Sequence, residues 1–253
     1  MVPMVLATTL AAVRGALRRI LQRKGSEPDL SELTEADRRI VERALPHTMT
    51  GVPRVQAVVD AVRYCVARGV PGAFAECGVW RGGSVLAMAL TLQELGADDR
   101  DIYLYDTFEG MTAPTAADTS RFHRPALEDW RVSGGRPYRE LFDSELVGEE
   151  AVRATLGPYP EERLHLVRGP VEETLPEHAP GELALLRLDT DWYESTRHEL
   201  EHLYPRLSEG GVLIVDDYGH WEGARRAVDE YFAEREPLLF NRIDYTGRIA
   251  VKR

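Results

Sequence analysis

The chain has 253 residues and a formal net charge of −11, with 42 acidic against 31 basic side chains. That length accommodates one α/β domain with a helical appendage. The acidic balance excludes general nucleic-acid binding, which needs a basic surface, and no apolar run reaches the length of a membrane span.

At the N-terminus, apolar Met1 to Ala12 precedes Arg14, Arg18, Arg19, Arg23 and Lys24. A secretory signal has the opposite order, with its charges first. Leu6, Leu10, Val13, Leu17, Ile20 and Leu21 share one face of an amphipathic helix. Such a face packs on its own protein or a partner subunit rather than on a membrane, since no second anchoring signal accompanies it. The expectation is a cytoplasmic homodimer or higher homo-oligomer. After the polar break Gly25 to Ser31, Ser31 or Thr34 caps a helix reaching Leu45, with Glu35 and Asp37 in its first turn. A further helix runs from Pro53 to Arg68 and stops at Gly69. The two cysteines, Cys65 and Cys77, lie in apolar contexts that suit buried free thiols.

From Ala73 onward, strands and helices alternate. Phe74 to Cys77 enters a glycine turn, Ser84 to Leu95 is helical, and Ile102 to Tyr105 is a strand ending at Asp106. Met111 to Tyr138 is rich in Pro, Ser, Thr, Gly and Arg, and reads as a lid over a site. Helices follow over Glu145 to Leu156, Val171 to Leu175, Tyr193 to Leu207 and Gly223 to Glu234. Strands are predicted at Leu164 to Val167, Leu183 to Leu188 and Val212 to Val215, with a closing pair, Leu239 to Ile243 and Arg248 to Val251. Repeated βα units of this kind give an α/β fold with a largely parallel sheet and an antiparallel edge.

Four aspartates follow two of the apolar runs: Asp189 and Asp191 after Leu188, and Asp216 and Asp217 after Val215. Carboxylates just past the carboxyl ends of parallel strands face the crevice where such sheets bind ligands. So close together they repel unless protonated or neutralised, and oxygen-only donors favour Mg²⁺ or Mn²⁺. The turn Glu76-Cys77-Gly78-Val79-Trp80-Arg81-Gly82-Gly83-Ser84 allows close backbone approach by a ligand, but matches neither the dinucleotide nor the Walker pattern. Glu76 before the turn suits an amino or sulfonium charge. Asp106 ends the next strand, where a carboxylate accepts hydrogen bonds from both ribose hydroxyls. A nucleoside without a phosphate site points to S-adenosylmethionine. Lys24 and Lys252 are the only lysines, so no lysine base stands beside the metal, and Asp191 is placed to deprotonate the acceptor.

In combination and order these motifs resemble the metal-dependent, macrocin-type sugar O-methyltransferases of antibiotic biosynthesis. The resemblance runs from about His47 to the C-terminus. It rests on His47-Thr48-Met49, Glu76 with Gly78 to Gly83, Asp106-Thr107-Phe108-Glu109-Gly110, Leu188-Asp189-Thr190-Asp191, Tyr204-Pro205-Arg206-Leu207 and Asp216-Asp217-Tyr218. It implies a Rossmann-like, doubly wound, seven-stranded class I methyltransferase fold over residues 46–253, after a helical extension of residues 1–45. It also implies Mg²⁺ on Asp189, Asp216 and Asp217, with Asp191 as general base. The expected cofactor contacts are Thr48, Met49, Glu76, Gly78, Val79, Trp80, Gly82, Ser84, Asp106, Phe108, Gly169 and Asp189. Where the family commonly carries an aromatic after that last glycine, this chain has Gly169-Pro170-Val171.

The expected acceptor is a sugar hydroxyl of a natural-product glycoside. A phenol or catechol acceptor, a non-catalytic partner subunit and a phosphatase-like metal hydrolase are the alternatives. His123, His220 and Trp221 are candidate acceptor contacts, and His47 reads as structural support. His198 and His202 stand one helical turn apart, a spacing that binds zinc, but read as surface residues for want of a further ligand.

Overall fold

Apolar runs of four to six residues need partners on both edges, and the chain supplies them by pairing strands distant in sequence. A computed structural model of the protein describes residues 30–134, 147–157 and 159–253. The helix expected between Met1 and Lys24, and the subunit contact attributed to it, lie outside the described residues. Five strands are parallel: β1 (Ala73–Cys77), β2 (Ile102–Asp106), β3 (Leu164–Arg168), β4 (Leu183–Leu188) and β5 (Leu207–Val215). β6 (Asn241–Arg242) and β7 (Arg248–Val251) add the antiparallel edge, in the order β3-β2-β1-β4-β5-β7-β6. This is a Rossmann-like, mostly parallel seven-stranded sheet.

Side chains alternate across the sheet and so supply two cores. Phe74, Leu104, Leu185 and Ile214 point to one face, where they meet α1 (Glu35–Ala44), α2 (Val52–Ala67), α3 (Gly83–Glu94) and α5 (Glu149–Leu156). Ile40, Val41 and Ala44 of α1 share this core, and the helix begins where Thr34 Oγ1 accepts the Asp37 N–H at 3.1 Å. Ala75, Tyr105, Leu186 and Leu213 point to the other face, against α7 (Tyr193–His202) and α8 (Glu222–Ala233). Cys65 and Cys77 are buried free thiols, as expected. No described helix is long and apolar enough to cross a membrane.

Two boundaries differ from expectation. The helix from Tyr193 ends at His202, a 3₁₀ turn spans Tyr204–Arg206, and β5 already starts at Leu207. Pro205 is the reason, since it has no N–H to donate and its ring crowds the preceding backbone. The strand expected over Leu239 to Ile243 shortens to Asn241–Arg242. Asp244 starts a turn there, its carboxylate accepting the N–H groups of Thr246 and Gly247 at 2.9 and 2.8 Å.

Parallel register then sets the site. Cys77 aligns with Tyr105 on one side and Leu188 on the other, and Leu188 aligns with Val215. Glu76, Asp106, Asp189, Asp216 and Asp217 therefore gather at the carboxyl end of the sheet.

Candidate active site

Ten of the expected cofactor contacts border one cleft of about 870 Å³: Thr48, Met49, Glu76, Gly78, Val79, Trp80, Ser84, Asp106, Gly169 and Asp189. Gly78 turns β1 away from the sheet with φ of 83°, and a Cβ there would run into the Asp189 carbonyl. Only glycine fits where the two strand ends approach this closely. Glu76 is 1% exposed; its Oε1 accepts from Arg187, while Oε2 is buried without a partner. Burial pushes the Glu76 carboxyl up to about 7 against the pull of Arg187. An orphaned buried acceptor facing a cleft is a place for a ligand donor. Asp106 closes the same turn from β2. It accepts the N–H groups of Val79, Trp80 and Phe108 at 2.6, 3.1 and 2.7 Å. Trp80 and Phe108 hold positive φ of 49° and 55°, a backbone strain that clusters at functional sites.

Two expected contacts lie elsewhere. Gly82 caps α3 in the left-handed conformation and faces Val152 and Thr155 of α5, away from the cleft. The Phe108 ring is 3% exposed within the core, and only its backbone N–H reaches Asp106. Both also serve the turn itself, since the strand-to-helix corner needs a positive-φ cap and an apolar plug.

Asp189, Asp216 and Asp217 each bring a carboxylate oxygen within 4.8 Å of the others. Beside them Asp191 adopts a left-handed φ of 67°, with its N–H donating to Asp217 Oδ2 at 3.2 Å. Trp221 Nε1–H donates to Asp191 Oδ1 at 2.6 Å, fixing the plane of that carboxyl. Burial and the Asp189 charge push Asp191 up to about 7. Burial and the neighbouring aspartates push Asp189 and Asp217 well above the usual carboxylate range. Asp216 goes the other way, since Arg187 and Arg54 outweigh its burial. Crowded carboxylates whose charge Arg187 and Arg54 offset only in part fit a hard divalent cation.

Sequence reasoning missed both arginines. Arg187, 1% exposed in the middle of β4, donates to Glu76, to Asp189 Oδ2 at 2.7 Å and to Asp216 Oδ1 at 2.6 Å. Arg54 on α2 pairs with Asp216 and, at 3.1 Å, with Asp244. The signal for Arg187 was present: a charge inside an apolar strand must find buried partners. Lys252, the one lysine among the described residues, donates to the Tyr204 and Leu207 carbonyls and does not border the cleft.

Residues 111–134 roof the cleft, and α4 (Ala126–Val132) lies within them. The segment is tied down more firmly than its composition suggests. Asp118, fully buried, accepts from Tyr193 N at 2.8 Å and from Thr115 N at 2.6 Å. Glu222 N donates to the Thr119 carbonyl at 2.8 Å. Asp118→Ala should cost about 1–3 kcal/mol by leaving those buried N–H groups unpaired, seen as a lower Tm. His123, His220 and Trp221 border the cleft together, with His123 and His220 ring centres 5.1 Å apart. Burial, with His123 and Arg54 nearby, lowers His220 to about 4, so its ring is neutral at working pH. His47 lies 3.4 Å from Thr155 Oγ1 through Nδ1, a link between the first connection and α5.

A family model described as Macrocin-O-methyltransferase (TylF) matches residues 9–250. The chain belongs to the macrocin O-methyltransferase family. Its relatives include an 8-demethyl-8-(2,3-dimethoxy-alpha-L-rhamnosyl)-tetracenomycin-C 4'-O-methyltransferase of Streptomyces olivaceus, 37% identical over 225 residues, 84% of this chain and 79% of that protein. A mycinamicin III 3''-O-methyltransferase of Micromonospora griseorubida is 32% identical over 73% of this chain and 70% of its own length. Among solved structures, the O-methyltransferase NovP superposes with a TM-score of 0.69 at 32% identity, covering 81% of this chain and 82% of that one. The calicheamicin methyltransferase CalS11 shares the fold, with a TM-score of 0.59 at 21% identity over 90% of this chain and 98% of its own. This O-methyltransferase therefore carries its four aspartates, Glu76 and Asp106 on a class I methyltransferase sheet.

Proposed function

We propose that the protein transfers the methyl group of S-adenosylmethionine to a sugar hydroxyl of a glycosylated natural product, with Mg²⁺ at the aspartate cluster. The observation that carries this reading is the joining, in one cleft, of an orphaned buried acid to a set of mutually repelling carboxylates. Relatives named for methylating tetracenomycin, novobiocin and mycinamicin compounds support the acceptor class.

Glu76 Oε2 is the free acceptor for the ammonium of the methionine part, and Thr48, Met49 and the Gly78 turn border the same space. Asp106, already holding the turn from below, stands where the ribose belongs. Asp189, Asp216 and Asp217 would hold the cation; Mn²⁺ suits the same donors. Bound there, Mg²⁺ supplies a hard charge that lowers the pKa of an adjacent sugar hydroxyl. Asp191, its plane set by Trp221, would take the proton of the acceptor hydroxyl as that oxygen receives the methyl group, which the sulfonium of the cofactor would supply. Residues 111–134 and the His220-Trp221 turn exclude water around the acceptor. No described lysine borders the cleft, which argues against the phenol or catechol alternative.

The test is transfer of labelled methyl from S-adenosylmethionine to a panel holding glycosides, their sugar-free aglycones and catechols. Labelling of the glycosides alone is expected. Labelling of aglycones or catechols at equal rate rejects the sugar acceptor.

A further inference from the structure

The C-terminal half of α7 reads His198-Glu199-Leu200-Glu201-His202, the spacing by which zinc peptidases present two histidines from one helical face. The structure separates the two acids between them. Glu199 is fully buried, and Thr190 Oγ1 donates to its Oε1 at 2.9 Å. Buried and held by Thr190, it does not reach solvent as the base of a zinc peptidase must. Glu201 instead lies beside them, and His198, Glu201 and His202 each place a ligand atom within 4.8 Å of the others.

We propose that His198, Glu201 and His202 form a second cation site, taking a borderline-soft divalent ion such as Zn²⁺, separate from the aspartate cluster.

Three features beyond the spacing support it. The histidine rings pack edge to face, with centroids 4.3 Å apart. His198 Nε2 lies 3.2 Å from the Leu175 carbonyl. Donation there fixes the tautomer and leaves Nδ1 as the lone-pair nitrogen, the usual arrangement behind a metal-bound histidine. Burial, and after it the neighbouring His198, lowers the His202 pKa from its ordinary value, which favours the neutral, ligating form of that ring. Arg197 faces the site from the same helix and pairs with Glu201 Oε1 at 2.6 Å; Arg206 lies nearby, its Nε donating to the His202 carbonyl. Neither blocks the second oxygen of Glu201. Two imidazoles and one carboxylate select zinc over magnesium, whereas the all-oxygen aspartate cluster has the opposite preference. The three protein donors leave a fourth position open. Occupation would staple the last turn of α7 to the Leu175 carbonyl across the end of the sheet.

The experiment is isothermal titration of the full chain with Zn²⁺ in buffer saturated with Mg²⁺, repeated on His202→Ala and on Asp217→Asn. One zinc per chain that Mg²⁺ does not displace is expected, weakened at least tenfold by His202→Ala and unchanged by Asp217→Asn. Zinc should also raise the Tm of the unmodified chain and not that of His202→Ala. Absence of zinc binding under Mg²⁺ overturns the proposal. So does binding that survives His202→Ala but is lost in Asp217→Asn, which would place the ion on the aspartates.

Discussion

Asp191→Asn should lower kcat by about 10²–10⁴-fold, the range that a positioned general base contributes. Binding of Mg²⁺ and of S-adenosylhomocysteine should stay within a few-fold of the unmodified enzyme. The amide keeps the shape and can still accept from Trp221, but it has no basic oxygen for the acceptor proton. Left-handed φ at Asp191 matters here, because asparagine tolerates that region and the backbone need not move. Trp221→Phe separates position from basicity: it keeps the ring and removes the 2.6 Å donor. The expected result is a smaller loss of kcat, with the carboxylate still present but no longer held. Full activity in Asp191→Asn would exclude it as base and shift the proton to another group.

Metal removal should have two effects, of which only the second varies with pH. Transfer stops in chelator at every pH where Mg²⁺ supports it. Stability behaves differently. Glu76 and Asp191 sit near 7 in the metal-free fold, against about 4 when unfolded. A carboxyl raised in this way stabilises the fold below its unfolded value, and that contribution is lost as pH rises through the folded value. The chelated protein should therefore be most stable near pH 5 and lose stability toward pH 7 and beyond, where Asp189 and Asp217 extend the trend. Asp216 has the opposite sign, since its lowered value contributes above its unfolded pKa and is lost only in acid. Between pH 5.5 and 8 Glu76 and Asp191 each lose about 2 kcal/mol of this contribution, so Tm should fall by about 8–16 °C. Mg²⁺ replaces the protons, so its stabilisation should be large at pH 8 and small at pH 5.5. Thermal scans at both values, with and without the metal, measure it; a metal effect independent of pH would show that the aspartates do not hold the ion.

Much of this architecture is legible in the amino-acid sequence. The strand runs at Phe74, Ile102, Leu164, Leu183 and Val212 are short, apolar and bounded by turns, so their pairing is strongly constrained. The four aspartates and Glu76 stand out because they interrupt or follow such runs. What stays hidden depends on partners far away in sequence. Arg187 looks like one polar residue in a buried strand until Glu76, Asp189 and Asp216 come round it. Arg54 sits on an ordinary helix, and only the fold reveals that it faces Asp216 and Asp244. Gly82 and Phe108 belong to motifs that border the cleft, and a motif does not say which of its members line it. The acid beside His198 and His202 is visible too, but helical spacing alone leaves two candidates and burial chooses between them.

Asp118 does more than anchor one end of the cleft's roof. Its carbonyl also accepts the Ala126 N–H at 3.0 Å, so residues 119–125 leave and rejoin the fold at one point. His123 and Arg124, within that excursion, border the cleft. A loop cinched at its neck can change length at little cost, roughly 0.6 kcal/mol for each doubling. Recognition can then be rewritten without disturbing the aspartates beneath. Exchange of residues 119–125 between relatives, with Asp118 and Ala126 retained, is thus a direct route to transplanting acceptor preference.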